Sequence, residues 1–281
     1  MRALALALFS AVFAEQVSFS KPTITRELID EYAHLVDIAY CAPYIYAPFQ
    51  CLSRCSEFNL TLISTFATPS DIQGYIACDS DRMVVAFRGS QSWRNIITDI
   101  QTEPLNVTTV CADCAVHTGF WAIWNETAAV VDPLLRTHLR PHQRLVIAGH
   151  SLGGAMTTLA ALQWKEFRPL AVSFGQPRTV NHNFSDYLRQ HVRDYYRITT
   201  PRDPIPKIPV QSMGYRHHGQ EIFIDGEHMR WCNGDEDETC CGAGLVLPGE
   251  VLLAHLHYGG HGMGVCAPKF EDRSLQMMFD K

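Results

Sequence analysis

The 281-residue sequence predicts an α/β fold, with a central mixed, mostly parallel sheet flanked by helices. Three observations carry that expectation. Short apolar runs alternate with segments of helical periodicity through the middle of the chain. Three strand-like segments follow one another near the start, separated only by polar turns. One run, Arg144-Leu-Val-Ile-Ala-Gly149-His-Ser151-Leu-Gly153-Gly-Ala155, passes from an apolar strand through a glycine-framed turn into a helix.

Taken in order, residues 1–14 hold one arginine, an apolar run and small residues ahead of Glu15. This is the layout of a short secretory signal, with cleavage expected after Ala14. The run is well short of the ~20 residues that span a bilayer, and no other candidate span follows. Residues 15–281 are therefore expected to form a single exported domain without an integral membrane span. Leu28, Tyr32, Val36, Ala39 and Tyr40 share one face of an opening amphipathic helix. Residues 60–67, 73–78 and 83–87 read as successive strands, and 120–139 as a helix that Pro133 kinks or divides. A strand at 145–148 and a helix at 155–164 frame the glycine turn. A strand at 171–174, a helix at 184–192 and a strand at 195–199 follow, with a loop-rich remainder. Parallel strands in the middle and antiparallel ones at the start make the sheet mixed.

Composition narrows the function classes. Apolar residues make up 47% of the chain and charged residues 19%, which is globular and not disordered. A formal charge of −6 argues against a phosphate-binding surface for nucleic acid and against docking on anionic membranes by charge alone. Ten cysteines in an exported chain read as disulfides. Cys51/Cys55 and Cys111/Cys114 are close enough to be local staples. Cys41 and Cys266 lie near the two ends, and a bridge between them would contribute about 5 kcal/mol in the chain-entropy model. Cys78, Cys232, Cys240 and Cys241 remain, with one pair expected among the last three. Asn59, Asn106, Asn125 and Asn183 each begin a glycosylation sequon.

Gly149-His-Ser151-Leu-Gly153 is a G-x-S-x-G turn in the strand-to-helix context of a nucleophile elbow, which makes the fold α/β-hydrolase-like. Such a turn holds a serine on a strained bend, its hydroxyl above a helix N-terminus that favours a developing oxyanion. A serine needs a neighbouring base, and the base an orienting acid. Downstream acids are Asp186, Asp194, Asp203, Asp225 and the run 235–238, the last reading as a solvated loop. Asp203 stands out because Pro201-Arg-Asp-Pro-Ile-Pro206 fixes a loop at the end of a strand, where sites of open α/β sheets assemble. Candidate bases are His217, His218, His228, His255, His257 and His261, and spacing alone does not choose among them. His150 reads as a packing residue, because neighbours in a tight turn diverge. No metal or organic cofactor is required.

The chain resembles the secreted fungal class 3 lipases, a family of triacylglycerol lipases and feruloyl esterases. The resemblance spans residues 32–266 and rests on five motifs in the family's order. They are Val84-Val-Ala-Phe-Arg-Gly-Ser90, Gly149-His-Ser-Leu-Gly-Gly154, Phe174-Gly-Gln-Pro-Arg178, Arg197-Ile-Thr-Thr-Pro-Arg-Asp203-Pro-Ile-Pro and Ala254-His255-Leu-His-Tyr-Gly259. The resemblance implies Ser151 as nucleophile, Asp203 as orienting acid and His255 as general base. It implies Ser90 and Leu152 as the oxyanion hole, and His217 as a histidine outside the triad. It places disulfides at Cys41–Cys266, Cys51–Cys55, Cys111–Cys114 and Cys232–Cys240. It also implies a short helical lid at residues 92–100, where Trp93, Ile96, Ile97 and Ile100 form an apolar face and Arg94 and Asp99 match lid-anchoring charges. The stretch 232–241 is more similar to the feruloyl esterase branch, whereas the apolar lid is similar to the lipases.

The expected protein is a secreted, monomeric serine ester hydrolase acting on triacylglycerols at an oil–water interface through an acyl-enzyme. An esterase on soluble or aryl esters such as feruloyl groups is the nearest alternative within the same chemistry. An inactive lipid-binding module is the alternative from another class.

Overall fold

The computed structural model describes residues 24–90, 102–240, 253–264 and 266. The signal-like residues 1–14, the lid residues Trp93, Arg94, Ile96, Ile97, Asp99 and Ile100, and Cys241 lie outside the described residues.

Helix α1 (Arg26–Ala39) starts where the Thr25 hydroxyl accepts from the Leu28 N–H, a side-chain cap on a helix N-terminus. It buries Ile29, Tyr32, Ala33, Leu35, Val36, Ile38 and Ala39, a wider face than the sequence periodicity marks. Strands β1 (Thr61–Ala67), β2 (Gln73–Cys78) and β3 (Arg82–Phe87) form an antiparallel meander. Two short strands, β4 (Pro104–Asn106) and β5 (Ala115–His117), precede helix α2 (Thr118–His138). That helix continues through Pro133 instead of dividing there. Strand β6 (Arg144–His150), helix α3 (Leu152–Gln163) and strand β7 (Leu170–Phe174) come next. They are followed by β8 (Val180–Asn181), helix α4 (His182–His191) and β9 (Asp194–Thr199).

The expectation of a loop-rich end needs correction. After β10 (Tyr215–Arg216), strands β11 (Gln220–Asp225) and β12 (His228–Trp231) extend the main sheet, and β13 (His257–Tyr258) pairs with β14 (His261–Gly262). The eight-stranded sheet runs β1-β2-β3-β6-β7-β9-β11-β12. Strands β3, β6, β7, β9 and β11 are mutually parallel, with antiparallel neighbours at both edges.

Alternation along the buried strands divides the core in two. Val85, Phe87, Leu145 and Ile147 face the layer that holds Trp124, Leu159 and Phe184 of α2, α3 and α4. Val84, Ala86, Val146 and Ala148 face Leu35, Val36 and Ala39 of α1. All four implied disulfides are present, Cys41–Cys266, Cys51–Cys55, Cys111–Cys114 and Cys232–Cys240, and Cys78 is a free thiol. The asparagines of the four sequons are exposed. No helix among the described residues is long and apolar enough to cross a membrane.

Candidate active site

The carboxyl ends of β3, β6 and β9 lie at the same end of the sheet, with β7 between β6 and β9, and the loop that follows each one carries a site residue. Ser151 sits between β6 and α3 with φ 56° and ψ −122°. A side chain held in so sparsely populated a region costs about 1–3 kcal/mol, which the surrounding structure must offset. Two glycines permit the bend. A Cβ on Gly149 would lie 2.2 Å from the Gly153 carbonyl oxygen, and one on Gly153 would lie 2.4 Å from that of Phe87. Hydrogen bonds pin the strained residue: Ser151 N–H donates to the Phe174 carbonyl at 2.9 Å, and Gly154 N–H donates to the Ser151 carbonyl at 2.9 Å.

Asp203 and His255 meet although 52 positions separate them, with Nδ1 of His255 3.0 and 3.1 Å from the two carboxylate oxygens. An ionised carboxylate only accepts, so Nδ1 carries the ring proton and Nε2 is left as an acceptor. The Asp203 side chain is fully buried, and a buried charge is tolerable only when its lone pairs are filled. Ile205 N–H donates to Oδ1 at 2.9 Å from the first turn of a 3₁₀ segment (Ile205–Lys207), and the Tyr258 hydroxyl donates to Oδ2. Burial first, then the Asp203 charge, hold the Tyr258 phenol protonated far above its ordinary range, so it remains a donor.

Two buried polar atoms in this cluster have no hydrogen-bond partner, Oγ of Ser151 and Nε2 of His255. One is a hydroxyl able to donate and the other a bare imidazole nitrogen able to accept. Leaving such groups unmatched costs about 1–3 kcal/mol each, and active sites are where that cost recurs. Gly89 brings the end of β3 against the serine, since a Cβ there would lie 3.0 Å from Ser151 Cβ. That places the partly buried Ser90 next in the chain to a residue that closely approaches Ser151. Leu152 opens α3, where first-turn N–H groups lack intrahelical partners.

Most of the remaining candidates are engaged elsewhere. His217 and His218 are buried, the first bound to the Pro206 carbonyl at 2.6 Å and the second to Thr158 at 3.0 Å. Nε2 of His261 lies 3.0 Å from Asp30, and His228 is exposed on β12. Asp194 pairs with Arg144, and Asp186 and Asp235 with Arg189. The acidic run is not simply a solvated loop, because Glu236 receives both Nε and Nη2 of Arg178 at 2.8 Å. Cys232, Asp237 and Cys240 bring potential ligand atoms within 4.8 Å of one another, but both sulfurs are spent in a disulfide. His150 is no mere packing residue, for both ring nitrogens are hydrogen-bonded. Tyr258 also escaped the sequence reading of site residues, although it sits three positions after His255 in the same motif.

The sequence model of the class 3 lipases matches residues 84–213. Lipase A of Sodiomyces alcalophilus is 33% identical over 77% of this chain and 68% of its own. Secreted mono- and diacylglycerol lipase 1 of Fusarium solani is 32% identical over 84% of this chain and 76% of its own. The crystal structure of Lip2 lipase from Yarrowia lipolytica superposes with a TM-score of 0.78 at 30% identity, covering 89% of this chain and 99% of that one. With this elbow, this sheet order and that identity over most of its relatives' length, the chain belongs to the class 3 lipases.

Proposed function

We propose that the chain is a secreted lipase that hydrolyses acylglycerol esters, triacylglycerols included, at an oil–water interface. The observation that carries this reading is the pair of buried, unmatched atoms, Ser151 Oγ and His255 Nε2, with the other face of that imidazole held by Asp203. His255 Nε2 takes the Ser151 proton as Oγ attacks the ester carbonyl. The oxyanion is bound by Ser90 and the Leu152 N–H. Nε2–H then protonates the leaving glycerol oxygen, and the acyl group stays on Ser151. Water, deprotonated by the same nitrogen, attacks the acyl-enzyme and releases the fatty acid. Asp203 keeps the proton on Nδ1 and stabilises the imidazolium formed in each half-reaction. Action at an interface draws on the apolar residues Trp93, Ile96, Ile97 and Ile100 in the sequence. Export draws on residues 1–14, the four disulfides and the secreted relatives.

The test is acid release from emulsified trioctanoylglycerol and dioctanoylglycerol by the full chain and by Ser151→Ala and Asp203→Asn. Wild type is expected to hydrolyse both, S151A neither, and D203N on the order of 10⁴-fold more slowly. Hydrolysis that persists in S151A would overturn the assignment. A tributyrin titration checks the interface: the rate is expected to jump beyond the solubility limit, and saturation below it contradicts interfacial action.

A further inference from the structure

Tyr40, His150 and His255 are joined by a hydrogen-bond chain whose direction is fixed at every link. His150 Nε2 lies 2.8 Å from the backbone carbonyl of His255, and a carbonyl only accepts, so Nε2 carries the proton. A neutral imidazole then has a bare Nδ1, which lies 2.6 Å from the Tyr40 hydroxyl, so the phenol donates there. The same phenol oxygen accepts from the Gly89 N–H at 3.0 Å. The chain therefore reads Gly89 N–H to Tyr40 Oη–H to His150 Nδ1, and His150 Nε2–H to the His255 carbonyl. All three side chains are at least 96% buried, so no solvent competes for these bonds.

The three points it ties together are far apart in sequence and adjacent in chemistry. Gly89 precedes Ser90, His150 precedes Ser151, and the accepting carbonyl belongs to the catalytic histidine itself. Tyr40 is the C-cap of α1, and the next residue, Cys41, is bridged to Cys266, so the relay is anchored to a helix end and a disulfide. Gly89 must lack a side chain for the phenol to reach it, since a Cβ there would lie 2.5 Å from the Tyr40 oxygen.

We infer that Tyr40 and His150 are positioning residues that hold the oxyanion strand and the backbone of His255 in register with Ser151. The inference rests on the Ser151–His255–Asp203 reading above. Its physical content is rigidity at the reacting distance: a misplacement near 1 Å costs about a hundredfold in rate. A neutral His150 suits the task, because its ring centroid is 4.5 Å from that of His255, which becomes a cation in each turnover. Burial, then the charge of His255, keeps His150 well below the ordinary imidazole range, so it does not compete for the proton.

The experiment measures kcat and KM on p-nitrophenyl butyrate, with active sites counted by burst titration with a p-nitrophenyl alkylphosphonate. Tyr40→Phe and His150→Phe are expected to lower kcat per titrated site about ten- to a hundredfold, with KM within twofold of wild type. His150→Gln, whose amide can still donate to the His255 carbonyl, should recover at least threefold over H150F. The double variant Y40F/H150F should fall no more than twofold below H150F, because both changes cut one chain. A purely structural role moves the melting temperature and the number of titratable sites but not kcat per site. Wild-type kcat per site in Y40F and H150Q would therefore overturn the inference, even where H150F fails to fold. Ser151→Ala separates the two levels. Loss of activity in S151A with unchanged Y40F overturns the relay alone, whereas activity retained in S151A overturns the triad reading and the relay with it.

Discussion

Tyr258 donates its hydroxyl to Oδ2 of Asp203, the same oxygen that lies 3.0 Å from Nδ1 of His255. The phenol thus shares the carboxylate that holds the His255 ring. Tyr258→Phe keeps the ring, which packs edge-on against Phe174 at 5.8 Å, and removes only the donor. A hydrogen bond to a charged group is worth about 1.5–3 kcal/mol, so kcat should drop roughly ten- to a hundredfold with KM little changed. Steady-state kinetics on a soluble ester would check this. An unchanged kcat would mean that Ile205 N–H and His255 suffice to fix Asp203.

Glu221 is completely buried on β11 and faces Arg197 of β9 at 3.3 Å, while Thr199 donates to its other oxygen at 2.6 Å. Arg197 also donates to the His218 and Asp235 carbonyls at 2.8 and 2.7 Å. Glu221→Ala leaves that guanidinium buried without its anion, which typically costs about 3–5 kcal/mol. Urea unfolding should show a loss of this size, with kcat per titrated site preserved in the folded fraction. A loss below about 1 kcal/mol would show that the carbonyls alone satisfy Arg197.

The same ion pair explains what the sequence left hidden. Strands β2, β3, β6, β7 and β9 were legible because their buried positions are mostly apolar, and their expected ends fall within two residues of those observed. Strand β11 reads Gln-Glu-Ile-Phe-Ile-Asp, and its buried Glu221 breaks the pattern that would mark it, since partners on β9, Arg197 and Thr199, make that burial tolerable. The site divides in the same way. The elbow was legible because strain demands glycines at fixed offsets from Ser151. Asp203 was legible from its prolines at the end of a strand. His255 was not separable from five other histidines by spacing, because its distinction is a contact across 52 residues. Tyr40, 110 positions from His150, carried no local signal at all.

His34 should make the fold acid-sensitive. Arg54 offers only donors, so the His34 nitrogen facing it must be bare, and the His34 ring stands edge-on to His261 at 4.3 Å. Burial first, then the His261 and Arg54 charges, lower the His34 pKa to about 4. The native state therefore binds fewer protons than the unfolded chain between about pH 6.5 and 4. The stabilisation is fully present above the upper limit and is lost as pH falls through the lower one. His34→Gln can still accept from Arg54 and does not titrate. Between pH 7 and 4.5 wild type should lose about 2 kcal/mol more than H34Q, a figure discounted for partial exposure. Equal losses in urea titrations would clear His34 of the effect.

Asp37, on the same helix, carries the opposite sign. Burial raises its pKa to about 7, against the smaller opposing influences of Arg54 and Ser53. Here the native state binds more protons than the unfolded chain between about pH 4 and 7, so stability falls as pH rises through that window. Above it the full cost of a buried carboxylate is present, on the order of 4 kcal/mol. Asp37→Asn mimics the neutral acid at every pH. It should match wild type near pH 4 and exceed it by that amount at pH 8, as read from urea midpoints at constant slope. Because Arg54 faces both His34 and Asp37, the double variant H34Q/D37N should depart from additivity by at least 0.5 kcal/mol. A D37N advantage that is the same at pH 4 and pH 8 would show that Asp37 is ionised in the native state throughout, and that Arg54 holds it so.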